Sequence, residues 1–241
     1  MAKKRLDDLL IERNLAPNRE EALKLIMSGE VMVQSQRAVS PSQMFPPDAA
    51  IEMKGKRQYV GRGGEKLAYA IKTFGIIVEG KTCLDIGSST GGFTDVLLQN
   101  GARKVYAVES GKGILDLKLR EDPRVVVMEG VNILHLESLP EPADILSIDV
   151  SLTSLKNVFS VLPKFLATSG EVLALFKPQY EVSDKRFLRN GIVEDAAVRE
   201  QTLSDFLGWL TAHGWRIIEK AESPIKGSEG NTEYLLHIKP Q

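Results

Sequence analysis

At 241 residues, 43% hydrophobic and 26% charged, the chain has the makeup of a soluble globular protein with room for one large domain and one small one. A net charge of -1 excludes a uniformly basic nucleic-acid binder. A single cysteine, Cys83, excludes an internal disulfide framework and argues against a zinc cluster, so no metal is expected. No stretch reaches the ~18 apolar residues of a membrane helix, and the start turns acidic at Asp7-Asp8 before any apolar run, unlike a signal peptide. The expected location is the cytoplasm. Charge is uneven: residues 1–62 carry 11 Lys/Arg against 8 Asp/Glu, the rest 20 against 24, a weak pointer to a polyanion at the front end.

In chain order, Leu6, Leu9, Leu10 and Arg13 recur at helical spacing and Pro17 stops them. Asn18 with Glu21 predicts a capping box opening a second helix, with Ala22, Leu25 and Ile26 buried and Gly29 at its end. Val31–Val33 predicts a short strand, Gln34–Pro47 a loop, and Ile51 with Met53 another strand. The segments Arg5–Leu10, Arg19–Ala22, Ile26–Val33 and Val39–Ser42 together resemble the S-four RNA-binding domain. The resemblance implies that Lys3, Lys4, Arg5, Arg19, Lys24 and Arg37 face structured RNA, where Lys and Arg neutralise phosphates. The chain departs from that pattern at Gln34-Ser35-Gln36, where the family has an Asn-Gly turn.

Lys54–Gly64 is a basic, glycine-rich connector, and the domain boundary is set within it, giving domains 1–60 and 61–241. Beyond it Glu65–Phe74 predicts a helix that starts with Lys66. Strands are then expected at Thr82–Gly87, Lys104–Glu109, Val125–Glu129, Asp144–Asp149 and Glu171–Lys177. Helices are expected near Phe93–Asn100, Ile114–Arg120 and Ser154–Leu166. The alternation predicts an α/β, doubly wound, Rossmann-like sheet. A long helix over Asp195–His213 leads to two final strands, Trp215–Ala221 and Glu233–Ile238. Their connection is too short for a crossover helix, so the last strand should run antiparallel. Seven strands with an antiparallel last one is the class I methyltransferase pattern.

The turn Gly87-Ser88-Ser89-Thr90-Gly91-Gly92-Phe93 joins the first strand to a helix. It has neither the Gly-x-Gly-x-x-Gly spacing of dinucleotide enzymes nor the Lys-Ser/Thr of a P-loop. Asp85 lies in the strand end before it, and Glu109 closes the second strand, where the ribose of an adenosine ligand is expected. This set fits S-adenosyl-L-methionine, with Asp85, Gly87, Ser88, Ser89, Gly91, Gly92, Phe93 and Glu109 as its expected contacts.

Polar residues gather at strand ends: Asp149 after the fourth, Lys177 after the fifth, and Glu233 at the start of the last, with Lys66 within reach from its helix. Arg62-Gly63-Gly64-Glu65-Lys66-Leu67, the glycine turn, Ile148–Ser151, Leu175–Gln179 and Gly230–Leu236 resemble the FtsJ-type ribose methyltransferases. With the front module, nearly the whole chain is similar to the TlyA/haemolysin A family. The resemblance implies methyl transfer to a ribose 2′-hydroxyl of ribosomal RNA, free or in ribosomal subunits. It also implies a Lys66-Asp149-Lys177-Glu233 tetrad, an adenine contact near Asn132, and RNA contact at Arg62. A 2′-hydroxyl is a poor nucleophile, so Lys177 is the expected base, with Lys66 as a neighbouring cation and the two carboxylates orienting the lysines. The family pattern is not matched at Ser110–Leu115, notably Lys112 and Ile114. The basic segment Pro178–Gly191 is either an RNA-contacting lid or a surface loop. His135, His213 and His237 have no metal-ligand spacing, and Trp209 and Trp215 are expected in the core. Two other readings remain: a membrane-active haemolysin, and an RNA-binding protein of the same fold without catalysis.

Overall fold

The computed structural model describes residues 3–27, 29–34, 36–38, 40–53 and 58–241, except the side chain of Arg37. The chain forms two compact units, Met1–Gln58 and Tyr59–Gln241.

The first unit packs helices Leu6–Glu12 and Arg19–Met27 on a three-stranded antiparallel sheet. Its strand order is Gln36–Arg37, Val31–Val33, Ile51–Met53. Leu6, Leu10, Ala22, Ile26, Val31 and Val33 form the core. The Asn18 side chain accepts from the Glu21 amide at 3.0 Å and so starts the second helix. The stretch expected as loop, 34–47, is partly paired: Gln36–Arg37 lies against Met32 and Val33, and Met44–Phe45 pairs with Lys4–Arg5. Segments this short carry too little alternation to be read from sequence. Ser28 and Val39, part of the resemblance, and Ser35, at the departure from it, lie outside the described residues.

The second unit is a seven-stranded sheet. Its elements are α1 (Gly63–Phe74), β1 (Thr82–Ile86), α2 (Gly92–Gln99), β2 (Lys104–Glu109), β3 (Val125–Glu129), β4 (Ala143–Ile148), β5 (Leu166–Phe176), α3 (Ala196–Ala212), β6 (Trp215–Glu222) and β7 (Tyr234–Pro240). The order across the sheet is β6-β7-β5-β4-β1-β2-β3, and β7 is antiparallel to both its neighbours. This is the expected class I methyltransferase arrangement. Every residue of β1 is buried, as a central strand covered on both faces requires. Chain order reverses between β1 and β4, the place where open sheets bind ligands.

Two expected helices are shorter than predicted. Instead of Ile114–Arg120, only Leu117–Arg120 is helical. Gly113 is left-handed (φ 72°), and the amides of Gly113, Ile114 and Leu115 turn to Glu129. Instead of Ser154–Leu166, the chain makes helix Leu155–Phe159, then a tighter 3₁₀ turn, Leu162–Lys164. Pro163 has no amide hydrogen to continue an α-helix, and β5 already begins at Leu166.

Candidate active site

The turn after β1 builds the site. The Gly87 and Ser88 amides donate to the Val108 carbonyl at 2.9 and 3.1 Å, tying the turn to β2. Gly87 has φ 81°, and a Cβ there would stand 2.5 Å from the Asp149 carbonyl oxygen. Gly91 has φ 98°, and a Cβ there would meet a Leu119 methyl at 2.1 Å. Both positions therefore demand glycine, one for the approach of β4 and one for packing below the turn. Asp85 lies behind them, fully buried. It accepts from the Thr94 hydroxyl at 2.6 Å and the Ser147 hydroxyl at 2.9 Å. Burial raises its carboxyl from 3.8 to about 7, despite both hydroxyls, and the nearby Asp149 charge adds to the rise.

Two cavities open over this turn. The larger, about 410 Å³, is lined by Gly87, Ser89, Glu109, Ile114, Val131, Asn132, Leu134, Asp149 and Ser151, among others. The smaller, about 180 Å³, is lined by Gly61–Gly63, Ser88, Gly92, Phe93 and Lys177 and shares Gly87, Ser89, Asp149 and Ser151 with the first. Of the expected cofactor contacts, Asp85 and Gly91 line neither cavity. Asp85 faces Thr94 and Ser147, and Gly91 faces Leu119, so both support the turn from behind. Glu109 accepts from the Ser89 amide at 3.0 Å and the Gly111 amide at 2.8 Å. Asn132 accepts from the Leu134 amide at 3.0 Å. The Ser88 hydroxyl is buried without a partner among the described residues.

An adenosine-type cofactor fits these residues. Ile114, Val131 and Leu134 offer apolar walls for a ring, Glu109 offers an acceptor for ribose hydroxyls, and the glycine backbone leaves room that a Cβ would fill. Thiol chemistry has no place here: burial pushes the Cys83 thiol up to about 12.

The four expected catalytic residues form two ion pairs. Lys177 Nζ lies 2.6 Å from Asp149 Oδ1 and donates to the Ser151 hydroxyl at 3.1 Å, with the Tyr180 ring 5.9 Å away. Lys66, on the first turns of α1, donates to Glu233 Oε2, and this pair is buried. Glu233 precedes β7, and its carboxylate lies so close to Gly227 that a Cβ there would approach Oε1 to 2.4 Å. Each lysine thus has its own carboxylate. Ser151 and Glu129 were not anticipated. Ser151 stands two places after Asp149, and Glu129 ends β3 just as Glu109 ends β2, a parallel visible in Val-Tyr-Ala-Val-Glu and Val-Val-Val-Met-Glu.

The expected RNA-facing cations of the first unit are mostly paired. Arg5 holds the buried Asp7 at 2.7 Å, Arg19 holds Asp7 and Asp8, Lys4 meets Glu12 at 2.7 Å, and Lys24 meets Glu20 and Glu21. Arg5 keeps the Asp7 carboxyl below its ordinary range. Lys3 is exposed, and the Arg37 side chain lies outside the described residues. In the second unit Arg62 lines the smaller cavity and donates to the Lys226 carbonyl at 2.9 Å. The basic segment after Lys177 is structured: helix Pro178–Glu181, a 3₁₀ turn at Lys185–Phe187, and a hairpin of Leu188–Arg189 with Ile192–Val193. Asn231, itself buried, anchors the hairpin by accepting from the Val193 amide at 3.1 Å and donating to the Gly191 carbonyl at 2.9 Å.

A sheet of this order, with a glycine turn and an adenosine-sized cleft at its switch point, is that of a class I methyltransferase. The family model described as FtsJ-like methyltransferase matches residues 59–239, and the chain belongs to that family. The chain is 42% identical to the proposed rRNA methyltransferase YqxC of Bacillus subtilis, covering 98% of this chain and 85% of the relative. It is 36% identical to the 16S/23S rRNA (cytidine-2′-O)-methyltransferase TlyA of Mycobacterium tuberculosis, over 98% and 90%. A solved chain, a proposed hemolysin from Streptococcus thermophilus, superposes with a TM-score of 0.77 at 38% identity, covering 100% of this chain and 90% of that one.

Proposed function

We propose that this protein transfers a methyl group from S-adenosylmethionine to a ribose 2′-hydroxyl of ribosomal RNA, with Lys177 as the base. The observation that carries the reading is the Lys177–Asp149 pair: Asp149 belongs to the rim shared by the two cavities, and Lys177 lines the smaller one. The larger cavity holds the cofactor, contacted by Gly87, Ser89, Glu109 and Asn132, and the smaller one admits the ribose. Bound there, S-adenosylmethionine supplies an electrophilic methyl carbon. In its neutral form the Lys177 amine takes the hydroxyl proton and becomes the ammonium that Asp149 and Ser151 then hold in place. Lys66 and Glu233 complete the tetrad that the resemblance implies, although neither lines either cavity. Positioning of the hydroxyl in line contributes much of the rate. The relatives' names support the ribosomal substrate, and the first unit, an S-four-type module, carries RNA through Lys3, Lys4, Arg5, Arg19, Lys24 and Arg37, helped by Arg62 near the site.

The test is methyl incorporation from labelled S-adenosylmethionine into naked ribosomal RNA, each ribosomal subunit and whole ribosomes, with the product mapped for 2′-O-methylation. A single 2′-O-methyl site that vanishes with Lys177→Ala is expected. Cofactor binding without incorporation into any of these substrates overturns the reading. Membrane lysis has in its favour only names, the haemolysin label of one sequence relative and of solved relatives. Among the described residues no helix is long and apolar enough to cross a membrane. Liposomes are expected to retain their dye when the protein is added.

A further inference from the structure

We infer that Glu129 is a positioning residue for the cofactor, whose carboxylate shapes the 111–115 loop into one wall of the larger cavity. The inference rests on that cavity being the S-adenosylmethionine site.

Glu129 ends β3, and four donors converge on it. Its Oε2 accepts from the Gly113 amide at 2.7 Å. Its Oε1 accepts from the Ile114 amide at 2.8 Å, the Leu115 amide at 2.9 Å and the Arg120 guanidinium at 2.5 Å. Arg120 also donates Nε to the Leu115 carbonyl at 2.9 Å, which closes the ring of contacts. The loop has few other means of keeping its shape. Gly113 is left-handed, and the helix that follows has four residues. Gly111 is tied at the loop's start to Glu109 and Gly130. Leu115 is buried at its end, beneath the glycine turn. Ile114 between them is 41% exposed and lines the cavity, so core packing does not place it. Its amide bond to Glu129 does. The family departure at Lys112 and Ile114 falls in this loop, so Glu129 decides where the substituted side chain stands.

Because both carboxylate oxygens are engaged, Glu129→Gln isolates the effect with almost no change in volume. A glutamine presents one oxygen, and its NH₂ must then face either the Gly113 amide or the Ile114 and Leu115 amides, donor against donor. Loss of such a charge-assisted bond predicts about a tenfold rise in the Kd for S-adenosylhomocysteine by calorimetry. In the protein without cofactor, amide hydrogen exchange at Gly113, Ile114 and Leu115 is expected to quicken by about tenfold or more. The cofactor KM should rise while kcat at saturating cofactor and the KM for RNA stay within about twofold, the split expected when only ground-state binding is lost. Arg120→Ala, which keeps all three backbone bonds, should give a smaller rise of the same kind. Parent-like affinity and exchange in Glu129→Gln overturn the inference while leaving the site reading intact. A parent protein that binds no S-adenosylhomocysteine overturns both.

Discussion

Lys66 and Glu233, 167 positions apart, meet as a buried ion pair that joins α1 to the start of β7. Removing one partner leaves an uncompensated charge in a place water reaches poorly. Lys66→Met is therefore expected to destabilise the second unit by about 3–5 kcal/mol, and Lys66→Met/Glu233→Leu by much less. Urea unfolding of both variants measures this. Equal losses in the single and double variants would show that the pair is not what matters. On the proposed mechanism both variants lose methyl transfer, whichever is the more stable.

Lys177→Arg separates charge from basicity. Arginine keeps the cation opposite Asp149 but gives up no proton in proteins. Methyl transfer is expected to fall by about 10²–10⁴-fold, the usual worth of a positioned base. S-adenosylhomocysteine binding should persist. Activity near the parent's would remove Lys177 from the role of base.

Gly87→Ala loads two faults on one position: a left-handed backbone, and a Cβ 2.5 Å from the Asp149 carbonyl oxygen. The backbone fault alone costs about 1–3 kcal/mol. The contact would also push β4 and Asp149 away from the turn. Thermal unfolding and cofactor calorimetry should both deteriorate. An unchanged melting temperature would mean that the turn relaxes freely.

Asp85 predicts a pH signature. Its folded value, about 7, stands above the ordinary 3.8, so the folded chain keeps a proton that the unfolded chain has released. The stability linked to that proton is complete below about pH 4 and is lost as pH climbs through 7, a change on the order of 4 kcal/mol. Asp85→Asn has no proton to lose. Its stability is expected to stay flatter between about pH 4 and 8 than the parent's. Parallel curves for the two proteins would refute the assignment.

Asn231→Asp keeps the acceptor for the Val193 amide and turns an oxygen towards the Gly191 carbonyl. The cost is about 1–3 kcal/mol. The 188–193 hairpin should then show faster amide exchange while β1 does not. Uniform change across the sheet would mean that the hairpin is not held locally.

The centre of the sheet was legible in the sequence because its strands are dense apolar runs followed by a polar residue or glycine. Thr82–Ile86 and Lys104–Glu109 needed no help from context. The positions of Asp149 and Lys177 were legible for the same reason, since a charged side chain directly after such a run stands at the sheet's edge, whereas Lys66 sits on a helix and Glu233 before a strand. The 111–120 segment was not legible. Its Ile114, Leu115 and Leu119 have helical spacing, but a carboxylate from another strand captures the amides that would begin the helix. Asp85 misled in another way: it sits beside the ligand turn in sequence, yet alternation along β1 turns its side chain to Ser147 and Thr94. The pairing of the front cations with Asp7, Asp8 and Glu12 depends on loop geometry that spacing does not encode.

β7 lies between β5 and β6, although it follows both in the chain. On the ribosome, a nascent chain can assemble β1 to β5 and with them the walls of the larger cavity. β6 has no neighbour to join until β7 arrives to separate it from β5. The same arrival delivers Glu233 to Lys66. Completion of the sheet and formation of the Lys66–Glu233 pair are thus one folding event, so a chain caught before it has the walls of the larger cavity but lacks that pair.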